Sequence, residues 1–160
     1  SGFGDSGSIS LLIEAGADVN VSDTAEGRTP LMHAVRTGTS EGVAALLAAG
    51  SKVNAIDNAS MTALHIAAES DNVTLEKIKL LVEAGVNVHA LDSDGLTALD
   101  YAKTRTGDDA SSVVNYLTVA DLLSLIEAWD YGVGAEDLNG DGNVGVNDLL
   151  TLIAAWGVCP

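Results

Sequence analysis

Apolar and polar positions recur in blocks along the first two thirds of this 160-residue chain. "LLIEAGADVNVSD" at 11–23, "ALLAAGSKVNAID" at 45–57 and "LLVEAGVNVHALD" at 80–92 are three copies of one phrase, and their glycines Gly16, Gly50 and Gly85 stand 34 and 35 residues apart. A second phrase follows each copy: "GRTPLMHAV" at 27–35, "SMTALHIAA" at 60–68 and "GLTALDYAK" at 95–103. "LEKIKLLVEA" at 75–84 places Leu75, Ile78, Leu81 and Val82 at helical spacing, and Gly85 supplies the left-handed residue on which a helix ends. Thr29, Thr62 and Thr97 suit the cap of a short helix, and Pro30 suits its first position, where a missing N–H costs nothing. The "VN" segment after each glycine extends, and an Asp-containing turn leads to the next unit. Units this small bury their apolar faces only against one another, so they stack into a solenoid.

Over about residues 1–117 these phrases resemble the ankyrin repeat family, with its "TPLHxAA" and "LLxxGADVNA" patterns. Three departures stand out. The first unit keeps only "SISLLIEAG" and lacks its first helix, the third has an insertion around "ESDNVT", and Asp100 stands where the family often has His. The missing half-unit exposes Ile9, Leu12 and Ile13 unless more chain precedes it, so a fragment is expected. The resemblance implies a protein partner bound through turn tips and the concave face of the first helices. The matching positions are Arg28, Arg36, Asn58, Met61, Glu69, Ser93, Asp94, Leu96 and Arg105, with solvated surface as the alternative for any of them. His65 falls where the family's histidine bonds neighbouring backbone; His33 and His89 lie at unlike positions, and all three read as structural.

Composition narrows the classes. Hydrophobic residues make up 47% and aromatics 4%, which favours close-packed short helices over a sheet sandwich. Seven basic residues face 23 acidic ones for a net charge of -16, and no Lys or Arg follows Arg105. Nucleic acid and anionic membrane surfaces are therefore poor partners, and a cation is a good one. No transmembrane run or signal peptide is read, the single Cys159 has no internal mate, and no nucleophile motif or phosphate loop is present. The chain reads as a non-enzyme.

The acidic turn "DLNGDGNVGVND" at 137–148 has calcium-loop spacing. Counted from Asp137, side-chain oxygens fall at positions 1, 3 and 5 (Asp137, Asn139, Asp141), and Gly142 takes the sharp turn at position 6. Asn143 at position 7 offers its carbonyl, Gly145 at position 9 leaves room for water, and Asp148 closes the ring at position 12. A solvated turn is the alternative, since "NGDG" is common turn chemistry.

"VADLLSLIEAWD" at 119–130 repeats as "VNDLLTLIAAWG" at 146–157. Two loop–helix units with a closing Asp resemble a dockerin, over roughly residues 108–160. In the first copy Ala110, Ser112 and Val114 replace the ligands, so one Ca2+ site is expected, not two. The resemblance implies a cohesin-type partner, with Val146 and Asn147 on the docking face, in an extracellular, polysaccharide-degrading assembly.

The expected architecture is all-α: an ankyrin helix-turn-helix solenoid over 1–117, then a small two-helix dockerin-like calcium-binding module over 118–160. The expected role is a protein–protein interaction adaptor. Two alternatives stay open: a C-terminus that only caps the solenoid, or the non-catalytic tail of a secreted glycoside hydrolase.

Overall fold

A computed structural model describes residues 6–70, 74–105 and 110–130. The chain divides into two compact units, Ser1–Thr118 and Val119–Pro160. Seven helices are described: α1 (Ser6–Glu14), α2 (Pro30–Thr37), α3 (Ser40–Ala48), α4 (Ala63–Glu69), α5 (Leu75–Glu83), α6 (Ala98–Thr104) and α7 (Ala110–Asp130). Among the described residues every regular element is a helix, and none is long and apolar enough to cross a membrane.

The first unit has two layers. First helices α2, α4 and α6 pack in succession, and second helices α1, α3 and α5 do the same behind them. The hairpins α2–α3 and α4–α5 tie the layers together. Leu31, Val35, Leu64, Ile66, Ile78 and Leu81 fill the space between, and Val113 and Leu117 of α7 close the same core. Small residues at Ala34, Ala67 and Ala102, all buried, let successive first helices approach closely.

Local chemistry starts α2 to α6 where the sequence places them. Thr29 and Thr97 accept the N–H groups of Met32 and Asp100 at 3.4 and 3.3 Å, and Thr39 and Thr74 cap α3 and α5 in the same way. Pro30 opens α2. At the other end of α2, the buried Lys77 ammonium donates to the Val35 carbonyl at 3.2 Å, one of the oxygens a helix end leaves without a partner. Burial holds the Lys77 pKa below the usual lysine range.

α7 spans the expected 117/118 division of the chain, and the two compact units divide one residue later, at 118/119. Residues 110–130 contain no Gly or Pro, so nothing in the backbone chemistry ends the helix.

Candidate protein-binding surface

Each unit presents a turn organised by one aspartate. Asp23 accepts from the N–H groups of Ala25, Glu26 and Gly27, Asp57 from those of Ala59 and Met61, and Asp92 from those of Asp94 and Leu96. The second carboxylate oxygen finds a different partner in each unit. His33 Nε2 lies 2.7 Å from Asp23, Arg28 of the preceding turn lies 3.3 Å from Asp57, and the Tyr101 hydroxyl donates to Asp92. The bond from the Glu26 N–H and that to His33 take the Asp23 pKa down to about 2. Burial pulls the Asp92 carboxyl up, but donors from Tyr101, Leu96 and Asp94 outweigh it and the pKa falls. The same bond, with burial, pushes Tyr101 up to about 12.

The turns are also locked to one another. Asn20 donates to the Gly50 carbonyl at 3.3 Å and accepts from the Lys52 N–H at 2.7 Å. Asn54 repeats this on Gly85 and Asn87, and Asn58 and Ser93 donate backbone bonds to Glu26 and Ala59 of the turns before them. His65 Nδ1 meets the Thr62 N–H at 3.1 Å and its Nε2 meets the Leu96 carbonyl at 3.1 Å, so one ring caps its own helix and bridges to the next unit. Met32 and Asp100 occupy the matching position. Both accept the N–H of their capping threonine, and neither side chain carries a second donor to reach onward. Gly27, at φ +72, has a second reason to be glycine: a Cβ there would sit 2.5 Å from Asn58 Oδ1.

Between the first two complete units lies a polar groove of about 370 Å³, lined by Glu26, Arg28, Arg36, Ile66, Glu69 and Ser70. Arg28 is held by Glu26 at 2.7 Å and by Asp57, and its side chain is 12% exposed. Arg36 and Glu69 are exposed on the last turns of α2 and α4. Arg28 and Glu26 form an ion pair, and Arg36 and Glu69 are the groove's other two charges, of opposite sign.

The expected partner residues do not all share one surface. Arg36 and Glu69 both line the groove, and Arg28 forms its wall while paired with Glu26 and Asp57. Asn58, Ser93, Asp94 and Leu96 are exposed at the turns. Met61 is a correction: it is 7% exposed and belongs to the core, because the next turn stacks on its own through Ser93 and Ala59, and a flexible apolar side chain folds beneath it. Arg105 is half-buried beside a separate cleft of about 280 Å³ lined by Lys103, Ser111 and Asn115, and its Nε and Nη1 have no hydrogen-bond partner among the described residues. Glu26, Ile66 and Ser70 complete the groove and escaped the sequence reading, because none sits in the repeated phrases at a position the family pattern marks as exposed.

The calcium ligands Asp137, Asn139, Asp141, Asn143 and Asp148, with Val146 and Asn147, lie outside the described residues. Among the described residues no group of His, Cys, Asp and Glu could hold a metal ion.

Comparison with known proteins agrees with the two-layer fold. Residues 2–57 match a family model described as ankyrin repeats (3 copies), and residues 46–102 match one described as ankyrin repeats (many copies). The chain is 37% identical over 75 residues to Inversin of Homo sapiens, covering 47% of this chain and 7% of that protein. It is 43% identical over 58 residues to the B-cell lymphoma 3 protein homolog of Mus musculus, covering 36% and 13%. Identity to the ADP-ribosylation factor GTPase-activating protein AGD4 of Arabidopsis thaliana is 35% over 76 residues, covering 48% and 10%. The chain thus spans only a small part of each of these relatives. Residues 2–102 are an array of ankyrin repeats.

Proposed function

We propose that this chain is a non-enzymatic adaptor that binds a protein partner across its first-helix layer, centred on the groove at Arg36 and Glu69. The observation that carries the reading is the groove itself: two exposed charges of opposite sign share a cleft of about 370 Å³ on a rigid, hydrogen-bonded scaffold. An arginine on a packed helix is a low-entropy anchor for a carboxylate, and the adjacent glutamate selects a partner with a cation beside it. The test is selection of peptide binders against the array, followed by charge reversal. Arg36→Glu or Glu69→Arg weakens such binders by about tenfold, the usual scale for one well-placed charge at an interface. Binders indifferent to both substitutions sink the groove as the site.

The acidic turn supports a second element of the same proposal. Asp137, Asn139, Asp141, Asn143 and Asp148 bind one Ca2+, which neutralises three carboxylates and orders a dockerin-like module for a cohesin-type partner. Val146 and Asn147 sit beside the closing ligand and contribute to that docking face. A loop closed by Asp rather than Glu belongs at about 10⁻⁵–10⁻³ M affinity, which extracellular calcium fills; with the dockerin resemblance, this supports a role outside the cell in a polysaccharide-degrading assembly. Calorimetric titration should give one site that Asp137→Ala removes. No heat at millimolar calcium rules the metal out and leaves an acidic extension of the array.

A further inference from the structure

Eight residues before the glycine that ends its second helix, each of the three units carries a different residue: Ser8, Gly42 and Lys77. Two of the three place a small residue there, and the third places a cation. That cation is 3% exposed, and an ammonium out of water is unfavourable unless good partners replace the lost hydration. Its Nζ donates to the Val35 carbonyl at 3.2 Å, 42 residues away in the chain. Val35 lies in the last turn of α2, where backbone oxygens lack partners within the helix and the helix dipole has its negative end.

The carbonyls on either side of Val35 are also met. Gly38 donates its N–H to Ala34, and the Ser70 hydroxyl lies 3.5 Å from the Arg36 oxygen. Ser70 directly follows Glu69, and its own N–H closes α4 on the Ile66 carbonyl. The turn that bears Arg36 is thus tied to the turn that bears Glu69, and Lys77 holds it from the layer behind.

We propose, on the reading of the groove at Arg36 and Glu69 as the partner site, that Lys77 is its positioning residue: it fixes the last turn of α2 and with it the point from which Arg36 enters the groove. Val35 is fully buried, so the bond anchors that turn to the core and opposes fraying at Arg36. Two charges held at one spacing lose less freedom when a partner binds, so the anchor is felt as affinity.

The experiment uses the full 160-residue chain and peptides selected to bind it. Lys77→Met keeps the aliphatic stem and removes the donor, and exchanging a buried cation for an apolar group of like volume is commonly neutral or stabilising. Circular dichroism checks the fold, and Lys77→Gln, shorter but still a donor, takes its place if the methionine variant unfolds. For peptides that Arg36→Glu weakens, Lys77→Met should lower affinity about fivefold or more, and should change nothing in an Arg36→Ala background, because the two residues act through one contact. Hydrogen exchange gives a reading that needs no peptide. The Gly38 amide should exchange about tenfold faster in Lys77→Met while the amides of α4 keep their rates.

Equal losses in both backgrounds would mean that Lys77 supports the fold in general, and would overturn the proposal. Unchanged affinity in the native background, or an unchanged Gly38 rate, overturns it as well and leaves the groove standing. Peptides that ignore Arg36→Glu remove the groove as the partner site and the role of Lys77 in recognition with it; a faster Gly38 amide would then show a clamp that serves α2 alone.

Discussion

The unit containing α4 and α5 and the half-unit containing α1 spell nearly the same second-helix phrase, and they behave as different materials. In the complete unit Leu81 is sealed by α4, and His65 bridges onward to the Leu96 carbonyl. In the half-unit Leu12 faces solvent, and in the unit that follows it Met32 takes the position matching His65. Burial in a stacked array is a property of neighbours, and a repeated phrase encodes the potential for a core rather than the core itself. An interior unit spends its apolar surface on stability.

The sharpest way to break this comparison is to truncate the equivalent leucines. Leu81→Ala should cost about 2–5 kcal/mol, from lost transfer energy plus the cavity left behind, whereas Leu12→Ala should stay within about 0.5 kcal/mol. Urea melts of both variants measure it, and equal losses would mean that α1 is covered in solution.

The next effect contrasts the two residues at the third helical position. His65→Ala leaves the Thr62 N–H and the Leu96 carbonyl without their partner in a buried setting, a loss of about 1–3 kcal/mol. Asp100→Ala removes a partly exposed carboxylate from the first turn of α6, and about 0.3–1 kcal/mol should follow. If the two losses were the same, the inter-unit bridge would carry no weight.

A gain is expected at Ser60. It holds φ +61, while Gly27 and Gly95, the matching turn residues of the other units, hold +72 and +76. Ser60→Gly should raise stability by about 1 kcal/mol by removing the left-handed penalty, and the melting midpoint reads it directly.

The smallest expected effects are in pH. The Asp23 carboxyl lies near 2 in the folded chain instead of 3.8, so its contribution is present above pH 3.8 and is lost as pH falls from there to about 2. Tyr101 titrates near 12 instead of 10, so the stability it adds is present below pH 10 and lost as pH rises towards 12. Tyr101→Phe should flatten the alkaline side of the stability curve, and Asp23→Asn the acid side. A decline that persists in either variant would place the responsible group elsewhere.

Much of the array was legible because its signals are local. A threonine before each first helix, Pro30, and a glycine after each second helix each fix a backbone state within a few residues, and the period follows from their spacing. Met61 was not legible. Its position in the turn matches Arg28 and Leu96, but only stacking of the following unit decides whether such a side chain is covered, and Leu96 remains 40% exposed. The continuity of α7 follows from a local signal as well, the lack of any Gly or Pro across 110–130. Of the groove, Arg36 and Glu69 were visible as exposed helix ends, whereas Glu26, Ile66 and Ser70 join it only through the stacking of two units.

The central claim is that a partner reads the charge pair in the groove between the first two complete units. Its most direct test is the affinity of one selected partner for the native chain, for Arg36→Glu, for Glu69→Arg and for the double exchange, set against charge-reversed partner variants in a double-mutant cycle. The account predicts losses for each single exchange and recovery when the complementary charge is reversed on the partner. Additive effects without recovery, or affinity unchanged by either exchange, would contradict it.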